Sequence, residues 1–195
     1  MDPATLKIYL GPMFSGKTTR LIKNLTKLAD TGLRVLFIGN AKDTRIEGDD
    51  VVSTHNSGYI QLSPKIKGRI TVNKLEGVDV NNFDAIGIDE GQFVPDLVPM
   101  VILWLSQGKS IRCAALDGDY LKRPFGDTLK LIPHCDKVVK LSAKCHLCLE
   151  ETNNGVVKRI KAPFTLRLKG GDAQTVVGGR DKYMAVCRKH HNSVE

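Results

Sequence analysis

Apolar and polar residues alternate along this chain in short blocks, and the spacing within each block predicts its secondary structure. Leu6-Lys7-Ile8-Tyr9-Leu10 reads as a short buried strand that stops at Gly11. Further on, Leu21, Ile22, Leu25, Leu28 and Ala29 recur at i, i+1, i+4, i+7 and i+8, one apolar face of a helix that Thr31-Gly32 can end. Arg34-Val35-Leu36-Phe37-Ile38 follows as a second strand, so the opening is a βαβ unit, which implies a parallel sheet and a right-handed crossover. From Gly39 to about Gly68 the pattern breaks into polar pieces, with only short β-prone runs such as Val51-Val52-Ser53-Thr54; a loop region that long usually has a task. Ala85-Ile86-Gly87-Ile88 predicts another buried strand, Leu97 to Gln107 a helix, and Ile111–Leu116 and Val138–Leu141 two more strands. The predicted architecture is α/β: a parallel-sheet core over residues 1–142 and a small unit over 143–195 beginning near Cys145. There is no internal repeat and no Pro/Gly/Ser linker, so the second unit is expected to pack on the first.

Composition changes this picture little. The 195 residues are 42% apolar and 26% charged, ordinary for a folded chain. A formal charge of +8 favours polyanionic ligands, nucleotides as much as nucleic acids. The densest basic groups, Lys65/Lys67/Arg69 and Lys158/Arg159/Lys161, form no stripe and are not interleaved with aromatics, so nucleic acid is not an expected partner. No apolar run nears the roughly 18 residues that cross a bilayer, and the start Met1-Asp2-Pro3-Ala4-Thr5-Leu6 lacks a signal-peptide layout. No membrane association is expected, and a cytoplasmic location is. In that reducing setting the five cysteines point to thiols or metal ligands rather than disulfides.

Three groups carry chemistry. Gly11-Pro12-Met13-Phe14-Ser15-Gly16-Lys17-Thr18 is a complete phosphate-binding loop set between strand and helix. Its glycines let backbone N–H groups approach phosphate oxygens, the helix start adds partial positive charge, Lys17 would neutralise the β/γ phosphates, and Thr18 would bind Mg²⁺. Asp89 ends an apolar strand, where the metal carboxylate of such an enzyme is expected, and Glu90 beside it is a candidate general base. Cys145-x2-Cys148 and Cys187-x2-His190 have zinc spacing at both ends; four protein ligands leave no open position, so the metal reads as structural, pinning the ends of a large loop. Spacing prefers His190 and leaves its neighbour His191 open, whereas His146, between two ligands, is expected to point outward. Together these define an ATP-dependent phosphoryl-transfer protein. A nucleic-acid-dependent ATPase and a zinc-stapled scaffold with a degenerate nucleotide site are the competing classes.

Six segments in order, with the zinc set, resemble the cytosolic zinc-containing (type II) thymidine kinases: the loop Gly11–Thr18, Asp43-Thr44-Arg45, Ile88–Phe93, Ala115-Leu116-Asp117-Gly118, Pro124-Phe125-Gly126 and Val177–Tyr183. The resemblance implies a RecA-like core and a zinc unit carrying a lasso-like loop over the nucleoside. It implies transfer of the ATP γ-phosphate to the 5′-hydroxyl of thymidine, with deoxyuridine a possible acceptor, in deoxynucleotide salvage. It makes Glu90 the base. Asp43, Thr44, Arg45, Asp89 and Gln92 join the loop at ATP and Mg²⁺. The thymine pocket falls on Met13, Phe93, Leu116, Tyr120, Phe125, Thr165 and Tyr183, with the backbone of Gln174, Thr175, Val176, Val177 and Gly178 reading the base edge. A homotetramer and feedback inhibition by thymidine triphosphate are implied too. Tyr120 stands where the family usually has Phe, so its hydroxyl needs a partner. His55-Asn56 stands where the family often has His-Asp.

Overall fold

The structure, a computed structural model, describes residues 4–41, 51–54, 58–150, 160–169, 171–176 and 178–193. Its centre is a six-stranded sheet of β1 (Leu6–Leu10), β2 (Val35–Asn40), β5 (Gly68–Val72), β6 (Ala85–Ile88), β7 (Ser110–Ala115) and β8 (Lys137–Lys140). Their order is β5-β2-β6-β7-β1-β8, and every neighbouring pair is parallel. Side chains on a strand alternate between faces, and the core divides accordingly. Leu6, Ile8 and Leu10 of β1, with Leu36, Ile38, Ile86 and Ile88, pack against Leu97, Val101 and Trp104 of helix α2 (Leu97–Ser106). Tyr9, Val35, Phe37 and Ala85 face Leu21, Ile22, Leu25 and Ala29 of helix α1 (Lys17–Asp30). Each large apolar side chain so buried contributes about 1.5–3 kcal/mol, which is why both helices lie along the sheet.

The small residues of β6 set how near α1 comes. A Cβ at Gly87 would lie 2.2 Å from Leu25 Cδ1, so α1 rests directly on the strand backbone at that point. Pro99 falls in the first turn of α2, where a missing N–H costs little. Edge strand β5 was hidden from the periodicity: Gly68-Arg69-Ile70-Thr71-Val72 lies on one neighbour only, is partly exposed, and carries a basic residue. The segment Thr128–His134 likewise forms a 3₁₀ turn that the pattern does not announce.

The remaining elements are small. Strands β3 (Val51–Thr54) and β4 (Gly58–Gln61) form an antiparallel hairpin in the polar stretch after β2. Beyond the sheet come β9 (Ala143–Lys144), α3 (His146–Glu150), β10 (Lys161–Ala162), β11 (Phe164–Arg167), β12 (Tyr183–Val186) and α4 (Arg188–Asn192). Two antiparallel pairs, β9 with β10 and β11 with β12, surround their own core of Cys145, Ala162, Leu166, Ala185, Val186 and Cys187. Among the described residues no helix is long and apolar enough to cross a membrane.

Candidate active site and metal centre

Parallel strands all point the same way, so their following loops converge at one edge of the sheet, where ligands of α/β proteins bind. Here β1 delivers the loop Gly11–Thr18, β6 delivers Asp89 and Glu90, and β7 delivers Leu116. The first loop winds through two left-handed residues, Phe14 (φ 64°) and Gly16 (φ 80°), before α1 begins. No acidic residue occupies the first turn of α1, so its partial positive charge stands uncompensated by side chains of that turn. Lys17 is buried, and its Nζ donates to the Pro12 carbonyl at 2.8 Å, reaching back across the loop.

Thr18 Oγ1 donates to Asp89 Oδ1 at 3.2 Å, which joins the helix start to the end of β6. Asp89 is buried. Burial, and then the Glu90 charge beside it, push its carboxyl well above the usual carboxylate range, to about 7. A buried acid of this kind at a cleft is characteristic of a site built to receive a cation. Glu90 itself sits in the left-handed region (φ 52°, ψ 41°), a conformation that costs a non-glycine residue on the order of 1 kcal/mol. The strained turn sends its carboxylate toward Gln92, whose Nε2 donates to Glu90 Oε2 at 2.6 Å. The other end of the Gln92 amide accepts from Leu116 N at 2.9 Å, so one buried side chain bridges β6 and β7.

The residues expected around the base lie about this edge. Phe93 and Phe125 meet edge to face with centroids 5.4 Å apart. Met13 N donates to the buried Thr165 Oγ1 at 3.0 Å, stitching the phosphate-binding loop to β11. The Tyr183 hydroxyl donates to the Val176 carbonyl at 2.7 Å. The Tyr120 hydroxyl finds its partner in the Asp172 carbonyl at 3.4 Å. A cavity of about 500 Å³ opens beside the loop, lined by Phe14, Ser15, Ser142, Lys144, Arg180 and Tyr183 among others. Asp43, Thr44, Arg45 and Val177, like His55 and Asn56, lie outside the described residues. Two residues not singled out from the sequence, Asp119 and Arg167, prove to be junctions of this region: Asp119 has a fully buried side chain paired with Arg123 at 2.8 Å, and Arg167 lies 3.7 Å over the Tyr120 ring.

The metal set assembles from the starts of two short helices. Cys145 precedes α3, Cys148 lies within it, Cys187 caps α4, and His190 lies one turn on. Their four ligand atoms lie within 4.8 Å of one another. Cys148 Sγ is 3.8 Å from Cys187 Sγ, and His190 Nδ1 is 3.3, 3.5 and 3.6 Å from Cys145, Cys148 and Cys187. A tetrahedral zinc with bonds of about 2.3 Å to sulfur and about 2.0 Å to nitrogen has edges of roughly 3.8 Å between sulfurs and 3.5 Å between sulfur and nitrogen. The donor set and its spacing therefore fit zinc. The Cys187 N–H also points to Cys145 Sγ at 3.2 Å. Burial opposes ionisation of Cys145, but hydrogen bonds from His190 and from backbone amides outweigh it and bring the thiol down to about 7. His191 is turned elsewhere: its Nε2 donates to the Tyr120 carbonyl at 2.9 Å and its ring packs on Phe164.

A phosphate-binding loop, a buried acidic strand end and a Cys₃His cluster that fits zinc define a P-loop phosphoryl-transfer protein. The thymidine kinase family model matches residues 4–191. The chain is 38% identical over 185 residues to thymidine kinase of Yaba monkey tumor virus, covering 94% of this chain and 92% of the relative. It is 38% identical over 183 residues to human cytosolic thymidine kinase, covering 94% and 71%. To thymidine kinase a of Arabidopsis thaliana it is 39% identical over 187 residues, covering 94% and 73%. The chain belongs to the thymidine kinase family.

Proposed function

We propose that the protein transfers the γ-phosphoryl group of ATP to the 5′-hydroxyl of thymidine, giving thymidine monophosphate and ADP. The observation that carries this reading is the run Thr18–Asp89–Glu90–Gln92 at the mouth of the phosphate-binding loop, in a chain of the thymidine kinase family. Gly11–Lys17 would cradle the triphosphate. Thr18 and Asp89 would hold Mg²⁺, which supplies charge neutralisation on the phosphoryl oxygens. Glu90 would accept the 5′-hydroxyl proton, its carboxylate oriented by Gln92. Asp43, Thr44 and Arg45 are assigned near the triphosphate. Met13, Phe93, Leu116, Tyr120, Phe125, Thr165 and Tyr183 would line a flat apolar slot for the base, with backbone of residues 174–178 reading its edge. Cys145, Cys148, Cys187 and His190 would hold structural zinc, and the chain would divide into a core (1–142) and a zinc-bearing unit (143–195).

Incubation with ATP, Mg²⁺ and each nucleoside, with and without DNA, tests this reading by the ADP released. Thymidine should stimulate ADP formation and DNA should not; stimulation by DNA alone would replace the reading with a nucleic-acid-dependent ATPase. Thymidine triphosphate would act as feedback inhibitor by uniting both subsites in one ligand, base in the pocket and triphosphate in the loop. Its inhibition should be competitive with thymidine and weakened by changes at Lys17 as well as at Tyr183. A homotetrameric, cytoplasmic enzyme completes the proposal; the human relative is named cytosolic, and sedimentation measures the assembly.

A further inference from the structure

We infer that Arg167 is a positioning residue for the nucleoside pocket, holding loop 171–176 closed through a side-chain latch built on Tyr120 and Asp119. The inference rests on the proposed thymidine site, because that loop and Tyr120 belong to it. Arg167 ends β11, and its guanidinium donates to three carbonyls of the loop: Nη1 to that of Gly171 at 3.0 Å and to that of Ala173 at 2.5 Å, and Nη2 to that of Gln174 at 2.9 Å. The same guanidinium lies 3.7 Å over the Tyr120 ring and 5.4 Å from that of Tyr183, two aromatics of the pocket. A planar fork that donates along its edge while stacking by its face is a geometry that lysine cannot reproduce.

A second tie secures the same segment. Gln174 Nε2 donates to Asp119 Oδ2 at 3.0 Å. Asp119 is itself fixed by the Leu121 and Arg123 backbone N–H groups, at 2.9 and 3.0 Å, and by the Arg123 side chain. Burial opposes its ionisation, yet the Gln174 and Arg123 bonds hold its carboxyl below the ordinary value. Tyr120 is anchored from the other side, because its carbonyl accepts from His191 on α4, next to the metal-set histidine. A continuous path of contacts therefore runs from the metal helix through Tyr120 and Arg167 to the loop that would read the base. Among the described residues, the hydrogen bonds that tie residues 171–174 to the rest of the chain all involve a side chain, Arg167, Tyr120 or Gln174. The loop's closure thus depends on these few groups.

Arg167→Gln and Arg167→Lys test the latch, with KM for thymidine, KM for ATP and amide hydrogen exchange over 171–176 as readouts. Arg167→Gln should raise the thymidine KM about 10- to 50-fold, the loss of two or more charge-assisted bonds, leave the ATP KM within about twofold, and speed exchange in the loop. Arg167→Lys should fall between that variant and the parent, because a lysine keeps the charge but cannot stack and donate along an edge at once. Gln174→Ala provides an independent cut should Arg167→Gln fail to fold. Equal changes in both KM values, or unchanged loop exchange, would overturn the latch, since a merely structural arginine lowers stability without splitting the two constants. Should the parent protein phosphorylate no nucleoside, the functional reading falls, and loop exchange alone then decides the latch.

Discussion

Asp89 couples the chemistry of the site to the stability of the fold, and Asp89→Asn separates the two. Its carboxyl is raised by burial, then by Glu90, to about 7. In the unfolded chain the same group titrates near 3.9. A native pKa above the unfolded one means that the folded state binds more protons between those values. Stability from this group is therefore fully present below about pH 4 and is lost as pH rises toward the native value. A separation of this size corresponds to a few kcal/mol at neutral pH, and because Glu90 shares the repulsion, asparagine should recover about 1–3 kcal/mol of it. Asparagine keeps an oxygen for the Thr18 hydroxyl, so the local geometry survives. Denaturant titrations without Mg²⁺ or nucleotide should show Asp89→Asn more stable than the parent at pH 8, with the advantage shrinking toward pH 5. ATP turnover should meanwhile fall about 10²-fold or more, because the Mg²⁺ proposed to sit at Thr18 and Asp89 would lose a ligand. A variant less stable than the parent at pH 8, or a stability difference independent of pH, would refute the reasoning.

Glu90→Gln should keep ATP and thymidine binding while lowering turnover by about 10²-fold or more, measured by single-turnover kinetics; near-normal turnover would remove Glu90 from the mechanism. Metal analysis should find about one zinc per chain, and Cys187→Ser should weaken nucleoside binding more than ATP binding in calorimetry. Gly126→Ala should destabilise by about 2–4 kcal/mol, because residue 126 has φ +61° and a Cβ there would lie 2.3 Å from the Gln92 carbonyl oxygen; turnover should drop with it as Gln92 shifts, and thermal melts with activity assays check both.

The parts legible in the sequence are those where one local rule decides. The βαβ opening, with Leu21, Ile22 and Leu25 facing the sheet, follows from periodicity, and the phosphate-binding loop and cysteine pairs follow from spacing. Strand β5 was hidden because an edge strand needs no continuous apolar run, and Arg69 satisfies an exposed edge as well as a loop. The choice between His190 and His191 is not local either. It turns on Tyr120, seventy-one positions away, whose carbonyl takes His191. Arg167 gave no signal for a similar reason: one basic residue closing a short strand acquires meaning only when a distant loop folds over it. Gln92 was placed near ATP by resemblance, and its observed partners, Glu90 and Leu116, show it linking two strand ends.

The β11–β12 register pairs Arg167 directly with Tyr183. Residues 168–182 therefore depart from and return to a single rung of a two-stranded ladder, so the excursion is topologically self-contained. Its length is set apart from the frame that bears it, since a residue added or removed there need move neither the rung nor the cysteines beyond it, while Arg167, Tyr120 and Asp119 hold residues 171–174 in place. If residues 174–178 read the base edge as proposed, nucleoside preference could be recast by exchanging this one excursion, while the phosphate-binding core and the Cys₃His cluster keep their own coordinates.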